Sequence, residues 1–221
     1  MIKLGMHLGY SRSRRNSKMK PFIFTAKNNA EIFDLEKTKG KMDLAKEFVK
    51  NLAQEKKIIL FVATKYEARP LIENAARELN MPFVKERWLG GTLTNFKEIK
   101  SRIDHLSDLE QKRDSGALEK YTKKERLHIE REIAKLEKYL QGLKDCKNLP
   151  SALVAIDSNE EKIAVAEARD TGVPVIALMN NDCNPEDADY PVPGNDSAIS
   201  SIKYFLEEII KAYKEGYVGT N

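Results

Sequence analysis

The side chains best suited to chemistry in this chain are positive charges close to its amino-terminal end. The first thirty residues contain seven Lys or Arg residues and no acidic residue, and the first carboxylate belongs to Glu31. Because the whole chain carries a net charge of +4, the remainder is net negative. A basic leader on a mildly acidic body is poorly explained by core packing and indicates a densely negative partner.

The composition of the leader favours nucleic acid as that partner. Residues 10–28 mix guanidinium, ammonium, hydroxyl and amide groups without a helical stripe. The planar fork of arginine fits phosphate oxygens, and Ser and Asn add positioning hydrogen bonds. The alternatives are a disordered tail and a membrane surface, but an amphipathic helix or a lipidation motif usually accompanies a membrane patch, and neither occurs here. The predicted RNA-binding residues of the leader are Arg12, Arg14, Arg15, Asn16, Lys18, Lys20 and Lys27.

The leader is predicted to read the backbone and shape of folded RNA. The chain lacks the aromatic motif of an RRM and a helix-turn-helix pattern, so recognition of a base sequence is not expected. The apolar run Phe22-Ile23-Phe24 is predicted to anchor this arm on the body. If the arm is only an attachment, deletion of residues 1–20 will leave the body folded.

A second candidate surface surrounds a tryptophan followed by two glycines. Arg87, Asn95 and Lys97 flank this stretch and are added to the predicted RNA-binding residues. Packing is favoured over base stacking for Trp88. Asn95 is predicted to cap the helix that follows, after a tight turn that the glycines permit.

An enzyme is the first competing hypothesis, and the motifs do not support it. The predicted strand ends contain neither Gly-x-Gly-x-x-Gly nor a P-loop. Between Arg169 and Lys203 there are six acidic residues and no Lys or Arg, and this strip would repel a phosphate. We interpret the strip as a solvated surface. No nucleophile–base pair is recognisable, so no catalytic residue, cofactor or small-molecule substrate is predicted.

Cysteine and histidine residues give no metal-binding pattern. Cys146 and Cys183 are far apart and fit no ligand spacing, which is typical of inert thiols in a reducing cytosol. His105 and His128 fall in charged helical segments, and only His7, beside the basic leader, keeps functional interest. No metal site is predicted.

The elements that must position these residues alternate between strand and helix. Continuous apolar runs at 58–63, 152–156 and 173–179 predict buried parallel strands, with a short strand at 82–84. Helices are predicted at 43–53, 65–79, 159–170 and 196–213. Capping boxes at Thr64–Glu67 and Ser158–Glu161 are predicted to begin the second and third of these helices.

Residues 96–143 follow a different pattern. Apolar residues recur at steps of three and four along two predicted helices, which are separated by a break at 114–116. Thr122–Glu125 matches another capping box at the start of the second helix. A single narrow apolar seam on each of these helices predicts an antiparallel coiled-coil hairpin that projects from the body. The chain is therefore divided into a first body half with the arm at 1–94, an inserted hairpin at 95–145 and a second body half at 146–221.

The length of 221 residues suits one large domain with an insertion. No apolar run approaches the roughly 20 residues that cross a bilayer. The opening residues 1–7 contain no apolar region typical of a secretory signal. We expect a cytoplasmic protein without a membrane partner.

Several ordered motifs resemble one family, the bacterial-type small-subunit ribosomal protein two. The similarity extends over essentially the whole chain. The motifs that carry it are Leu4-Gly5-Met6-His7-Leu8-Gly9, Asn16-Ser17-Lys18-Met19-Lys20-Pro21-Phe22-Ile23-Phe24, Asp34-Leu35-Glu36-Lys37-Thr38, Arg87-Trp88-Leu89-Gly90-Gly91-Thr92-Leu93-Thr94-Asn95, Pro150-Ser151-Ala152-Leu153-Val154, Glu167 with Gly172-Val173-Pro174, and Pro193-Gly194-Asn195-Asp196.

The resemblance implies an α/β fold with a flavodoxin- or Rossmann-like parallel sheet, helices on both faces and the projecting hairpin. It implies a structural protein of the small ribosomal subunit that is not an enzyme. Such a protein contacts rRNA and neighbouring ribosomal proteins near the head–body junction and supports docking of the subunit's large mRNA-binding protein. Tyr10 stands where many relatives have a histidine, which argues against a metal near His7.

Two other functions remain open. An α/β nucleotide-binding enzyme is favoured only by the fold class. A coiled-coil adaptor that acts without RNA would need only residues 96–143.

Overall fold

Five parallel strands form the centre of the protein. The computed structural model describes residues 1–218, apart from the side chains of Glu119 and Val218. The central sheet has the order β4-β3-β5-β6-β7, and its strands pair in parallel. The strands are β3 at Ile59–Val62, β4 at Phe83–Val84, β5 at Ala152–Ile156, β6 at Val175–Met179 and β7 at Tyr190–Pro193. This arrangement confirms the predicted α/β class and parallel sheet.

Helices cover both faces of this sheet, as continuous apolar strands require. Along β5, Val154 and Ile156 face one hydrophobic cluster, while Leu153 and Ala155 face another. The first cluster is completed by α1, α2 and α6, and the second by α3, α4 and α5. The helices are α1 at Leu35–Gln54, α2 at Arg69–Glu78, α3 at Phe96–Asp114, α4 at Lys123–Leu140, α5 at Lys162–Asp170 and α6 at Ile199–Val218.

Two of the three predicted capping boxes are absent, for a tertiary reason. Only the box at Thr122 and Glu125 forms, at the start of α4. Helix α2 begins four residues later than its box predicts and α5 three residues later, both without a side-chain cap. The carboxylate of Glu161 accepts a hydrogen bond from the backbone N–H of Thr64. It thereby joins the two segments and is not used to cap its own helix.

The leader is part of the folded body. Strand β1 (Ile23–Lys27) pairs in antiparallel fashion with β2 (Ala30–Phe33), and short 3₁₀ turns precede it. Met6 and Met19 are fully buried. Deleting residues 1–20 would remove both side chains from the core, so the body would not be left intact, contrary to the expectation from sequence. Phe22 packs partly against the second cluster, whereas Phe24 is 76% exposed and does not anchor the arm.

The contacts between α3 and α4 do not follow an antiparallel coiled coil. Arg113 near the end of α3 lies 3.7 Å from Glu137 near the end of α4. Glu110 pairs with Lys144, just beyond α4, at 2.5 Å. An antiparallel register would place the end of α3 beside the start of α4 instead. The apolar seams of the two helices are buried, but they join the second cluster of the body, and the projecting coiled coil is not confirmed.

Two helical glycines provide a matched test of the packing of α1 against α6. A Cβ added at Gly216 in α6 would clash with the Lys50 carbonyl oxygen, whereas one added at Gly40 in α1 meets nothing within 4 Å. We expect Gly216→Ala to lower the free energy of unfolding by about 1–3 kcal/mol through overpacking. Gly40→Ala is expected to raise it by about 0.5–1 kcal/mol because alanine favours the helix. Urea unfolding of both variants measures these changes, and shifts of the same sign would contradict this account.

Candidate nucleic-acid interface

Three of the predicted cations in the leader are ion-paired within the protein. Arg15 lies 2.8 Å from Glu31, which is 1% exposed, and is itself largely buried. Arg14 pairs with Asp182 at 3.3 Å. Lys18 pairs with Glu186. The last two pairs place the leader on part of the acidic strip, so that strip is partly neutralised by the chain itself.

The other three cations predicted to bind RNA in the leader are free for an external partner. Arg12, Lys20 and Lys27 are exposed, and among residues 1–218 none of them forms an ion pair. Arg12 lies in a 3₁₀ turn, Lys20 beside the buried Met19, and Lys27 at the end of β1. They are exposed charges on a well-packed segment, which is what a positioning contact to phosphate needs.

Asn16 organises the leader. Its backbone N–H donates to the Asn181 carbonyl oxygen at 2.7 Å, and its side-chain oxygen accepts from the Lys18 N–H at 3.0 Å. The first bond ties the leader to the end of β6, and the second begins the 3₁₀ turn at Ser17–Phe22. The second bond gives the Asn16 side chain a structural role in addition to the predicted RNA contact.

The second candidate surface is held by one carboxylate. Glu167 on α5 accepts hydrogen bonds from the Trp88 Nε1–H at 3.0 Å, the Gly91 N–H at 2.7 Å and the Leu93 N–H at 3.0 Å. Burial by itself raises the pKa of Glu167, but the donated hydrogen bonds outweigh it and hold the pKa below its usual value. Trp88 is buried, which confirms packing rather than stacking.

The loop held by Glu167 leads directly to the three remaining predicted residues. Arg87, Asn95 and Lys97 are exposed at its two ends, and neither Arg87 nor Lys97 makes an ion pair among the described residues. Asn95 occupies the N-cap position of α3, but its side chain makes no capping bond, so that part of the prediction is wrong. Glu167 was noted in the sequence only as part of a motif, because its partners are 73 to 79 residues away.

A buried charged group at the carboxyl ends of the strands was missed by sequence reasoning. Lys65, after β3, lies 2.9 Å from Asp157 and 3.3 Å from Asp196. Burial by itself lowers the pKa of Lys65, but the two carboxylates outweigh it and raise the pKa. Burial, with the charge of Asp157, raises the pKa of Asp196 to about 6. The signal in the sequence was weak: Asp157 directly follows an apolar run, but Lys65 is the second residue after its run and Asp196 follows Gly194-Asn195.

The same group contains the donor atoms that come closest to a metal site in the described chain. One ligand atom each of Asp157, Cys183 and Asp196 lie within 4.8 Å of one another. Burial and the nearby Asp157 charge raise the pKa of the Cys183 thiol, which disfavours the thiolate that a metal requires. The ammonium of Lys65 already supplies positive charge to both carboxylates, so the side chains present fit an internal ion-pair network.

The buried group also joins the leader to the sheet. The hydroxyl of Tyr10 lies 2.6 Å from that of Ser197 and 3.4 Å from Asp196. The guanidinium of Arg14 lies over the Tyr10 ring, 4.1 Å from its centroid. A cation over an aromatic face is attracted by the ring quadrupole. The leader is thus attached to the sheet edge by polar contacts as well as by buried methionines.

The crevice where an open parallel sheet binds nucleotides is occupied by a carboxylate of the chain itself. In such sheets the ligand lies where strand connections leave in opposite directions, here between β3 and β5. At this point Glu161 accepts the Thr64 backbone N–H, a donor of the kind that a phosphate would use. Fold and site together define an α/β protein with exposed basic surfaces and a nucleotide crevice filled by a negative group.

The chain belongs to the ribosomal protein S2 family, whose model matches residues 1–216. It is 44% identical over 216 residues to "Small ribosomal subunit protein uS2" of Helicobacter hepaticus, covering 98% of this chain and 82% of that protein. The identity is also 44% to the protein of the same name from a Nitratiruptor species, over 98% of this chain and 81% of the relative.

Family membership makes the chain a protein of the small subunit of the cytoplasmic ribosome, as the resemblance of its motifs predicted. Both relatives are named as small ribosomal subunit proteins. Among residues 1–218, no helix has the length and apolar character needed to cross a bilayer.

Proposed function

We propose that this small-subunit ribosomal protein binds rRNA through Arg12, Lys20 and Lys27. The observation that carries the proposal is that these three cations are exposed and unpaired within the described chain, on a leader anchored by buried Met19. Arg14 and Lys18 can add phosphate contacts only by leaving or sharing Asp182 and Glu186.

Arg87, Asn95 and Lys97 form a second rRNA contact in this proposal. Their loop is fixed by Glu167, so the cations are presented with little loss of conformational freedom on binding. Because the contact residues are cations and amides, and Trp88 at the second surface is buried, the protein recognises RNA backbone and shape.

The remaining surface faces protein neighbours. In the subunit the chain lies near the head–body junction, contacts adjacent ribosomal proteins and supports docking of the large mRNA-binding protein. The net negative charge outside the leader favours contacts with proteins that are themselves basic.

Co-sedimentation tests the proposal against its alternatives. The chain, added to small subunits lacking it, is expected to sediment with them at low salt and to dissociate at high salt, because phosphate contacts weaken steeply with salt. An association that survives nuclease treatment and needs only residues 96–143 would support the coiled-coil adaptor instead. A thermal shift with nucleotides, corresponding to about 2.7 kcal/mol at 100 Kd, would support the enzyme.

A further inference from the structure

The crevice filled by Glu161 opens into a cavity of about 360 Å³ at the carboxyl edge of the sheet. It is lined on one side by Thr64, which follows β3, and by Glu86, which follows β4. The turn before α5 lines the other side with Glu160 and Glu161. A space of this size holds a long side chain with some water, since each water takes about 30 Å³.

Three glutamates face this cavity against two arginines, Arg69 and Arg87, and two of the glutamates form no ion pair among the described residues. Arg69 donates to Glu86 and to the Thr64 carbonyl oxygen and is therefore already used. Neither Glu160 nor Glu161 forms an ion pair anywhere in the described part of the chain. Glu161 is only 2% exposed, and burial raises its pKa, as expected for a carboxylate that lacks an opposite charge nearby.

The rest of the lining fits a cation that brings an apolar stem. Ile163 is a 54% exposed apolar side chain at this cavity, and Trp88 forms part of its wall. Arg87 also lines the cavity but makes no ion pair in the described chain. Arginine buries its aliphatic stem on apolar surface and directs a planar fork at carboxylates.

We propose that this cavity binds an arginine side chain from a basic segment of a neighbouring ribosomal protein. The fold supplies the usual ligand position of an open parallel sheet, and Glu161 changes its preference from phosphate to cation. Glu160 at the opening and buried Glu161 contact the guanidinium, while Ile163 packs against its stem. The proposal rests on the proposed function only for the source of the segment, because the binding chemistry itself needs no RNA.

Trp88 is the single tryptophan of the chain, so its fluorescence reports the cavity directly. The full chain is titrated with an acetylated tri-arginine amide, with a tri-glutamate peptide and ATP as negative probes. We expect a saturable change with tri-arginine alone. Glu160→Gln is expected to weaken tri-arginine binding about tenfold, as for loss of a close interfacial charge partner. Glu207→Gln on α6, an exposed acidic position outside the cavity, should leave the affinity for tri-arginine unchanged.

Several results would overturn the proposal. These are the absence of a saturable signal with tri-arginine, a Glu160→Gln variant that binds as the parent does, equal weakening by Glu207→Gln, or a saturable signal with ATP alone. Because Glu161→Gln removes a buried hydrogen-bond acceptor, Glu160→Gln at an exposed position is the decisive variant. rRNA binding is measured separately by filter retention. Loss of peptide binding with rRNA binding intact rejects this cavity alone, and the reverse rejects only the proposed RNA contact.

Discussion

Replacing Arg12, Lys20 and Lys27 together by alanine is expected to lower affinity for small-subunit rRNA about a hundredfold at moderate salt. Each substitution removes a charge-assisted contact to phosphate, of the order of 1 kcal/mol or more. The slope of log affinity against log salt should fall by about three, one for each lost phosphate contact. Filter binding over a salt series gives both quantities.

A matched control separates this contact from general electrostatics. Lys39, Lys147 and Lys211 are also exposed and unpaired among the described residues, and none lies in the leader. Their triple alanine variant has the same net charge as the leader variant. If it loses as much affinity, the leader is not the binding surface, and the attraction comes from the net charge of the protein.

Arg15 is excluded from the leader variant because its contact is internal. It neutralises Glu31, which is 1% exposed, so its removal would leave an unpaired buried charge and destabilise the fold. A leader variant that included Arg15 would confuse loss of folding with loss of RNA affinity.

Lys65→Met is expected to cost about 3–5 kcal/mol of stability at pH 7. The ammonium of Lys65 is the positive charge between Asp157 and Asp196, which are both buried. Removing one member of a buried ionic group leaves the other charges uncompensated. The free-energy cost of that change exceeds the stability that an exposed ion pair contributes. Urea unfolding at constant pH measures the loss.

The pH dependence identifies the cause of that loss. In the folded protein the pKa of Asp196 is raised to about 6, above its usual value near 4. The folded state therefore holds this proton more tightly than the unfolded state, and the stability linked to Asp196 falls as pH rises through this interval. Without Lys65 the pKa of Asp196 rises further. The free energy of unfolding of Lys65→Met should therefore fall more steeply with rising pH than that of the parent between pH 5 and pH 7.

Two further variants make this test specific. Lys85→Met removes a lysine that pairs with Glu73 at 2.6 Å, but both side chains are partly exposed. Its cost should be about 0–1 kcal/mol and nearly independent of pH over this range. Adding Asp157→Asn to Lys65→Met should recover part of the lost stability. Equal costs for the two lysine variants, or no recovery, would contradict the buried-charge account.

The parts of the fold that sequence predicts are those with local or periodic causes. The strands at 59–62, 152–156 and 175–179 are apolar throughout because both faces of a parallel sheet are buried. The capping box at Thr122 formed because its two partners are three residues apart on an exposed helix. Such signals depend on neighbours along the chain.

The failed predictions involve residues whose partners are distant in sequence. Ser158–Glu161 has the pattern of a cap, yet Glu161 bonds to Thr64, 97 positions away. The apolar seams of α3 and α4 predicted a projecting coiled coil, which is not confirmed, because both seams lie in a cluster that also contains body residues. A periodic pattern gives the face that is buried and leaves open what buries it.

The sequence by itself determined the α/β class, the basic character of the leader and the family, because composition, periodicity and ordered motifs are all properties of the linear chain. Only the tertiary structure decided which charges are free. Arg12, Lys20 and Lys27 remain open to RNA, while Arg14, Arg15 and Lys18 are paired with acids that come from other parts of the chain. An ion pair depends on distance in space, and folding brought Arg14 and Lys18 to partners 168 residues away.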